Sequence, residues 1–176
     1  MRYRRAAPTC GTAGRLRGQR SGASRKRGGR VTELVETYRG TIYPWHCDHM
    51  GHMNVMWYIG KFDEATWQFL TMLGLSPAFF RSSGRGMAAV EQRIAYEREL
   101  VAGDVVTVRS GTLEIRDRVI RFVHQMRDDA TGEVAAVVMN TAVPLDTGSR
   151  KTTAFSDDVK ACALAHVVEF TLPWAA

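Results

Sequence analysis

The sequence lacks a long hydrophobic run, an even set of cysteines and any acidic residue in its first 30 positions. No apolar stretch approaches the roughly 18 residues that a membrane-spanning helix needs, and no secretory signal core follows the N-terminus. The three cysteines, Cys10, Cys47 and Cys162, have no short-range pairing, which argues against a disulfide framework. We therefore expect a soluble, cytoplasmic protein.

The net charge of +6 is distributed unevenly along the 176 residues. Residues 1–30 contain ten Arg and Lys, so the remainder carries 14 basic against 18 acidic residues. A nucleic-acid-binding face should lie on the folded domain itself, and nucleic acid is therefore a poor fit as a partner. Residues 1–30 have too few large apolar side chains to fold and are predicted to form a disordered basic tail. A transit peptide and an electrostatic tether are the alternatives.

Residues 31–176 are predicted to form one α+β domain. Residues 33–45 have the composition of a strand, and an apolar helical pattern runs from Val55 to about Leu73. Residues 76–86 predict a mobile flap. Segments over residues 88–100, 104–116 and 119–127 predict three strands, with Gly111 at a bulge or bend. Residues 134–143 are apolar on both faces, which predicts a central strand that Pro144 ends, so the four strands are expected to form a meander. We expect an antiparallel sheet wrapped around one long central helix, with oligomerisation covering the remaining surface.

The polar candidates for a site are concentrated in His46–Tyr58, HCDHMGHMNVMWY, just before the helix. Asn54 is a good N-cap residue. Asp48 lies six residues earlier, so the loop can fold its carboxylate over the helix start. Free N–H groups there, such as that of Val55, can face developing negative charge. Asp48 is thus a general base or a nucleophile, or it simply caps a turn.

Other polar residues leave alternatives open. His52 binds substrate, orients Asp48 or has a structural role. Glu64 falls opposite the apolar stripe, where it is exposed unless a partner subunit recruits it. Gln92 alternates with apolar residues, so its amide either is satisfied in the core or lines a pocket. His124 has the same pattern on a later strand and is expected in the core or at an interface.

The three histidines around Asp48 suggest a metal cluster at first sight. His46, His49 and His52 would share a face in a helix, but Gly51 and the predicted cap favour a loop, where that spacing has no meaning. No zinc-ligand spacing is matched. We expect no metal and no organic cofactor, with a metal-dependent hydrolase as the alternative.

The run from Asp48 to Tyr58, DHMGHMNVMWY, followed by FDEA at 62–65, resembles the hotdog-fold acyl-CoA thioesterases of the 4-hydroxybenzoyl-CoA thioesterase type. The GHMN and VEQRIAYEREL segments are also similar to the betainyl-CoA thioesterase subgroup. The resemblance covers residues from about 33 to 155. It implies the hotdog fold and hydrolysis of an acyl-CoA thioester without a metal, in a site shared by the subunits of a homodimer or homotetramer.

The resemblance also implies residue roles. Asp48 would be the base or nucleophile, and the Val55 N–H would polarise the thioester carbonyl. His52 and Asn54 complete an Asp–His–Asn spacing similar to that of plant-type acyl-ACP thioesterases. The residues expected to contact substrate are Gly51, Tyr58, Glu64 and Gln92, and the CoA phosphates could meet Arg81, Arg85 or Arg150. A non-catalytic hotdog module that binds acyl-CoA as a sensor is the alternative function.

Overall fold

The structure is a computed structural model that describes residues 33–175; the predicted tail, residues 1–30, lies outside the described residues. The elements in chain order are β1 (Val35–Thr41), α1 (Val55–Met72), α2 (Pro77–Ser83), β2 (Arg85–Tyr96), β3 (Val105–Arg116), β4 (Val119–Asp128), β5 (Val134–Asp146) and α3 (Asp157–Ala165). A short 3-10 turn, Pro44–His46, follows β1. All strand pairs are antiparallel, which confirms the predicted antiparallel sheet.

The strand order is β1-β3-β4-β5-β2. The predicted four-strand meander is therefore wrong in one respect, since β2 lies beside β5 at the far edge and only β3, β4 and β5 follow one another. The chain passes through α1 and α2 between β1 and β2, and this crossover delivers β2 to the opposite edge of the sheet. In the described chain β2 pairs on one side only, with β5.

α1 is the central helix, and it begins where the sequence predicts. The Asn54 side chain accepts a hydrogen bond from the backbone N–H of Met56, as an N-cap should. The stripe that packs on the sheet includes Tyr58, Phe62 and Phe69, each no more than 3% exposed. Within residues 33–175, no helix is long and apolar enough to cross a bilayer.

The start of α1 corrects part of the predicted apolar face. Val55 and Ile59, expected in the core, are 56% and 37% exposed. They flank the buried stripe on its outer side, so α1 keeps an apolar strip that the sheet of its own chain does not cover.

A bulge between Ala89 and Glu91 changes which side of β2 faces the core. Met87 packs against the core before the bulge, and Ile94 packs against it after the bulge. Val90, which simple alternation would bury, is 59% exposed. An extra residue in a strand shifts the alternation by one position, and this explains the error.

Three further expectations are corrected. The predicted flap contains α2, which Ser76 caps by accepting from the Phe79 N–H and which Gly84 ends in a left-handed conformation. β5 continues through Pro144, which lies beyond the last residue paired with β4. There its carbonyl accepts from the Thr153 N–H at 2.9 Å, so the missing proline N–H breaks no β4–β5 hydrogen bond. The register shift of β3 lies between Thr112 and Glu114, not at Gly111.

Candidate active site

Residues 47–53 form a tight loop that presents Asp48. The backbone N–H of Asp48 donates to the His52 carbonyl at 3.1 Å, and the Gly51 N–H donates to the Asp48 carbonyl at 3.0 Å. Gly51 has a φ of +88°, in the left-handed region, where residues with a Cβ are strained. Gly51 thus closes the turn, and its predicted contact with substrate stays a prediction.

The loop is fastened to its surroundings through backbone hydrogen bonds. The Met53 N–H donates to the Leu100 carbonyl at 2.7 Å, and the Asn54 N–H donates to the His46 carbonyl at 2.9 Å. Met53 itself is buried in the main core. Asp48 therefore projects from a loop whose last residues are held by backbone hydrogen bonds just before α1 begins.

The Asp48 carboxylate accepts two hydrogen bonds. Its Oδ1 accepts from the Met50 backbone N–H at 2.9 Å, and its Oδ2 accepts from Asn54 Nδ2 at 3.0 Å. The Met50 N–H and then the Asn54 amide lower the pKa of Asp48 below its usual value, because both favour the charged form. Asp48 is consequently an oriented, ionised carboxylate at neutral pH, as either a nucleophile or a general base must be.

An open cleft of about 540 Å³ lies in front of this carboxylate. It is lined by Asp48, His52, Met53, Asn54, Val55, Tyr58, Tyr96, Glu97, Arg98 and Glu99. The cleft brings together five of the predicted site residues. Val55 stands at the first position of α1, so its N–H has no carbonyl partner within the helix. The start of the helix and the carboxylate thus border the same space.

The opposite wall of the cleft comes from the end of β2, which sequence reasoning missed. The Tyr58 hydroxyl donates to the Arg98 carbonyl at 2.9 Å, and burial raises the pKa of Tyr58 to about 12. The Tyr58 and Tyr96 rings meet edge to face, with centroids 5.2 Å apart. Tyr96 lies inside the strand predicted over residues 88–100, and no sequence signal marked it as a cleft residue.

His52 contacts this wall rather than Asp48 directly. Its Nε2 lies 3.4 Å from Glu99 Oε1. The imidazole borders the cleft beside the carboxylate loop, so it can contact a ligand there. Its catalytic role stays a prediction.

Glu64 and Gln92 are not among the residues that line the cleft. Glu64 is exposed on α1. Gln92 is also exposed, but its Nε2 donates to Oδ1 of the buried Asn140 at 2.7 Å. Gln92 was expected to face the core or to line a pocket, and its exposure corrects that expectation, since the bulge at Ala89–Glu91 reverses the faces of β2. The proposed substrate contacts of Glu64 and Gln92 stay predictions.

The other histidines of the loop are dispersed. His46 is buried, its Nδ1 accepts from the Tyr43 N–H at 3.0 Å, and burial lowers its pKa. His49 is exposed. No group of three or more His, Cys, Asp or Glu side chains in residues 33–175 is placed to hold a metal ion.

The three arginines considered for the CoA phosphates lie near the other end of α1. Arg85 begins β2 and lies opposite Asp146 in the β2–β5 register, close to the turn that contains Arg150. Arg81 belongs to α2. A helix of 18 residues is about 27 Å long. Within one chain these arginines are therefore remote from Asp48.

An antiparallel sheet around one long helix, with a carboxylate at the start of that helix, defines the hotdog class of thioesterase. The chain belongs to the Thioesterase-like superfamily, whose family model matches residues 42–162. The resemblance to hotdog-fold thioesterases is confirmed at this level, whereas the particular 4-hydroxybenzoyl-CoA thioesterase type stays a prediction.

Individual relatives agree with this assignment. The chain is 30% identical over 107 residues to an L-carnitine dehydrogenase/betainyl-CoA thioesterase of Agrobacterium fabrum, a match that covers 61% of this chain and 22% of that protein. The chain thus spans about a fifth of the length of this curated relative.

Solved structures share the fold at lower identity. A Staphylococcus aureus protein in complex with CoA superposes with a TM-score of 0.75 at 19% identity, covering 84% of this chain and 94% of the other. A 1,4-dihydroxy-2-naphthoyl-CoA thioesterase from Synechocystis gives a TM-score of 0.65 at 16% identity, covering 72% and 93%. The hotdog fold is therefore confirmed.

Proposed function

We propose that the protein is a thioester hydrolase that converts an acyl-CoA to the free acid and CoA. The observation that carries this proposal is the ionised Asp48 carboxylate, held by Met50 and Asn54 beside the first N–H groups of α1 and open to a cleft. The family and its relatives support the same chemistry. The proposed reaction needs no metal or organic cofactor, since CoA is part of the substrate.

In the proposed reaction the thioester carbonyl lies at the start of α1, where the Val55 N–H donates to the developing oxyanion. Asp48 acts in one of two ways. It attacks the carbonyl carbon, the C–S bond breaks with release of CoA thiolate, and water hydrolyses the resulting anhydride. Alternatively, Asp48 takes a proton from a water molecule that attacks the carbonyl directly. The lowered pKa of Asp48 keeps its carboxylate ionised at neutral pH, as both routes require.

We further propose that the protein acts as a homo-oligomer in the cytoplasm. The second edge of β2 has no strand partner within the described chain, and Val55, Met56 and Ile59 present exposed apolar surface on α1. A second copy over these surfaces would cover both. The cytoplasmic location rests on the odd number of cysteines.

The test is thiol release from a panel of short, long, aromatic and betaine-like acyl-CoAs, measured for wild type, Asp48→Asn and Asp63→Asn. Asp63 is an exposed acid on α1 outside the cleft and provides the matched control. We expect turnover of some substrates by wild type and Asp63→Asn, with a loss of about a hundredfold or more in Asp48→Asn.

Two outcomes would contradict the proposal. Full activity of a folded Asp48→Asn protein would show that the chemistry lies elsewhere. Binding of acyl-CoA by wild type, without release of thiol from any substrate, would favour the sensor function instead.

A further inference from the structure

A second cavity lies at the opposite end of α1 from Asp48. It has a volume of about 520 Å³ and is enclosed by α2, the start of β2, the end of β5 and the start of α3. Its walls are mainly apolar and include Leu75, Phe79, Phe80, Met87, Phe155 and Val159. None of its lining residues lines the Asp48 cleft. The volume falls in the range of small-molecule sites, so the cavity is large enough for a ligand of its own.

The cavity has a cation at its edge. The exposed Arg85 is among the lining residues, and its Nη1 donates to the Ala154 carbonyl at 3.3 Å, which holds the guanidinium towards the cavity. The nearby Asp146 carboxylate accepts at Oδ1 from the Ser149 N–H at 2.7 Å and from the Ser149 hydroxyl at 2.8 Å. These two bonds lower the pKa of Asp146 most, and the Arg85 charge lowers it further, so the two side chains attract each other without a direct ion pair among the described contacts. The remaining guanidinium N–H groups of Arg85 can therefore bind an anion.

The polar groups of the cavity are few. Besides Arg85, the side chains that can form hydrogen bonds there are Ser83 and Ser156. The Ser156 hydroxyl accepts from the Val159 N–H at 3.4 Å as the cap of α3, and Ser83 accepts from the Arg85 N–H at 3.2 Å. A mainly apolar cavity with the Arg85 guanidinium at its edge matches a molecule with a hydrocarbon body and one negatively charged end.

We propose that this cavity binds an aliphatic carboxylate, with its hydrocarbon chain among Phe79, Met87 and Phe155 and its carboxylate on Arg85. Within the described chain this site shares no lining residue with the Asp48 cleft, and binding there does not depend on the proposed hydrolysis. An aliphatic carboxylate is also the class of molecule that hydrolysis of an aliphatic acyl-CoA would release, so occupancy would report the level of free acid.

The experiment is calorimetric titration of the full-length protein with hexanoate, octanoate and octan-1-ol. We expect octanoate to bind more tightly than hexanoate, by about fourfold for each methylene that is buried. Octan-1-ol has the same chain without the charge, and we expect it to bind at least tenfold more weakly. Arg85→Gln should remove this difference, whereas Met87→Trp, which fills the cavity, should weaken both ligands at least tenfold.

Two further variants locate the site. Arg93→Gln removes another arginine of β2, one whose guanidinium lies 4.8 Å from the Trp174 ring centroid and not in the cavity, and it should bind octanoate as wild type does. Asp48→Asn should also keep its affinity for octanoate. Any loss of thermal stability in Arg85→Gln or Met87→Trp is measured first, and titrations are run well below each melting temperature.

Three results would overturn the proposal. They are the absence of octanoate binding at millimolar concentration, equal affinity for octan-1-ol and octanoate, and a changed affinity for octanoate in Asp48→Asn with normal binding in Met87→Trp. The last result would place the carboxylate in the Asp48 cleft. Thiol release by wild type is measured separately, so failure of this site and failure of the proposed hydrolysis are distinguishable.

Discussion

Asn54 Nδ2 donates to Asp48 Oδ2 at 3.0 Å, while Oδ1 of the same Asn54 side chain accepts from the Met56 N–H at 3.0 Å. One amide therefore caps α1 and orients the carboxylate of the proposed active site. An aspartate at position 54 could cap the helix equally well, but it would repel Asp48 instead of donating to it. The requirement for asparagine comes from the site.

The double role of Asn54 predicts that capping and activity can be separated. Asn54→Ser keeps a capping oxygen but loses the donor to Asp48, so we expect near-wild-type stability with reduced kcat. Asn54→Ala loses both and should cost about 1 kcal/mol of unfolding free energy as well. Urea unfolding and thiol release, measured on the same preparations, test this.

The comparison between the two Asn54 variants is its own control. If the proposed coupling is correct, both variants lose a similar fraction of activity although their stabilities differ. Equal kcat in Asn54→Ser and wild type would mean that the bond to Asp48 has no role in turnover.

The part of the site at the start of α1 could be predicted from the sequence because its signals are local. Asp48, Asn54 and Val55 are close along the chain, and an N-cap residue before a helical apolar pattern fixes where the helix begins. Tyr96 and Glu99 belong to the same cleft but come from the end of β2 and the residues just after it, some 40 residues later. Which strand end meets the helix start depends on strand order, and a sequence pattern does not specify that order.

β2 shows why the rest of the fold could not be predicted. Its residues alternate as in a regular strand, yet the bulge between Ala89 and Glu91 reverses the faces, and the preceding helices carry the strand to the far edge of the sheet. The sequence also contained signals for α2, but residues 76–86 were predicted to form a mobile flap instead. Ser76, Pro77 and Gly84 are the cap, first-turn and ending residues of α2.

The burial of His124 predicts that the free energy of unfolding falls at acid pH. It is fully buried, and burial lowers its pKa to about 3. Its Nε2 contacts the Thr66 hydroxyl, which donates to the Phe62 carbonyl, so Nε2 carries the proton. Nδ1 then accepts from the Ser110 hydroxyl. The neutral ring is thus satisfied on both sides, and burial disfavours the charge that an added proton would bring.

A lowered histidine pKa means that below about pH 6.5 the unfolded chain binds a proton that the folded chain does not. Stability should therefore fall as the pH drops from 6.5 towards 3, by about 2 kcal/mol from this residue at pH 5. Urea unfolding between pH 5 and 7.5 measures the slope. His124→Gln, which can still donate to Thr66 and accept from Ser110, should show a shallower slope, and an unchanged slope would exclude His124 as the source.

The close packing around Gly111 predicts that any larger residue there lowers the free energy of unfolding. A Cβ there would lie 2.7 Å from Val168 Cγ2 and 2.9 Å from Leu34 Cδ2. Both side chains belong to or pack on one apolar cluster, so we expect Gly111→Ala to cost about 1–3 kcal/mol. Gly86→Ala is the matched control, since its nearest atoms are 3.4 Å away. Equal unfolding free energies for the two variants would show that the side chains of this cluster move aside at little energetic cost.

The exposed edge of β2 predicts that self-association can be disrupted from the middle of that strand. Val90 is 59% exposed at the bulge, and a lysine there would place a charge in an interface formed through this edge. Leu164 is equally prominent, at 61% exposed, but lies on α3, away from β2. If a second copy binds along β2, Val90→Lys should lower the mass measured by light scattering towards that of one chain, and Leu164→Lys should not. Activity should fall together with the mass of Val90→Lys if the site is shared between subunits, as the resemblance to hotdog-fold thioesterases implies. An unchanged mass in Val90→Lys, or a lower mass in Leu164→Lys, would place the contact between copies on another surface.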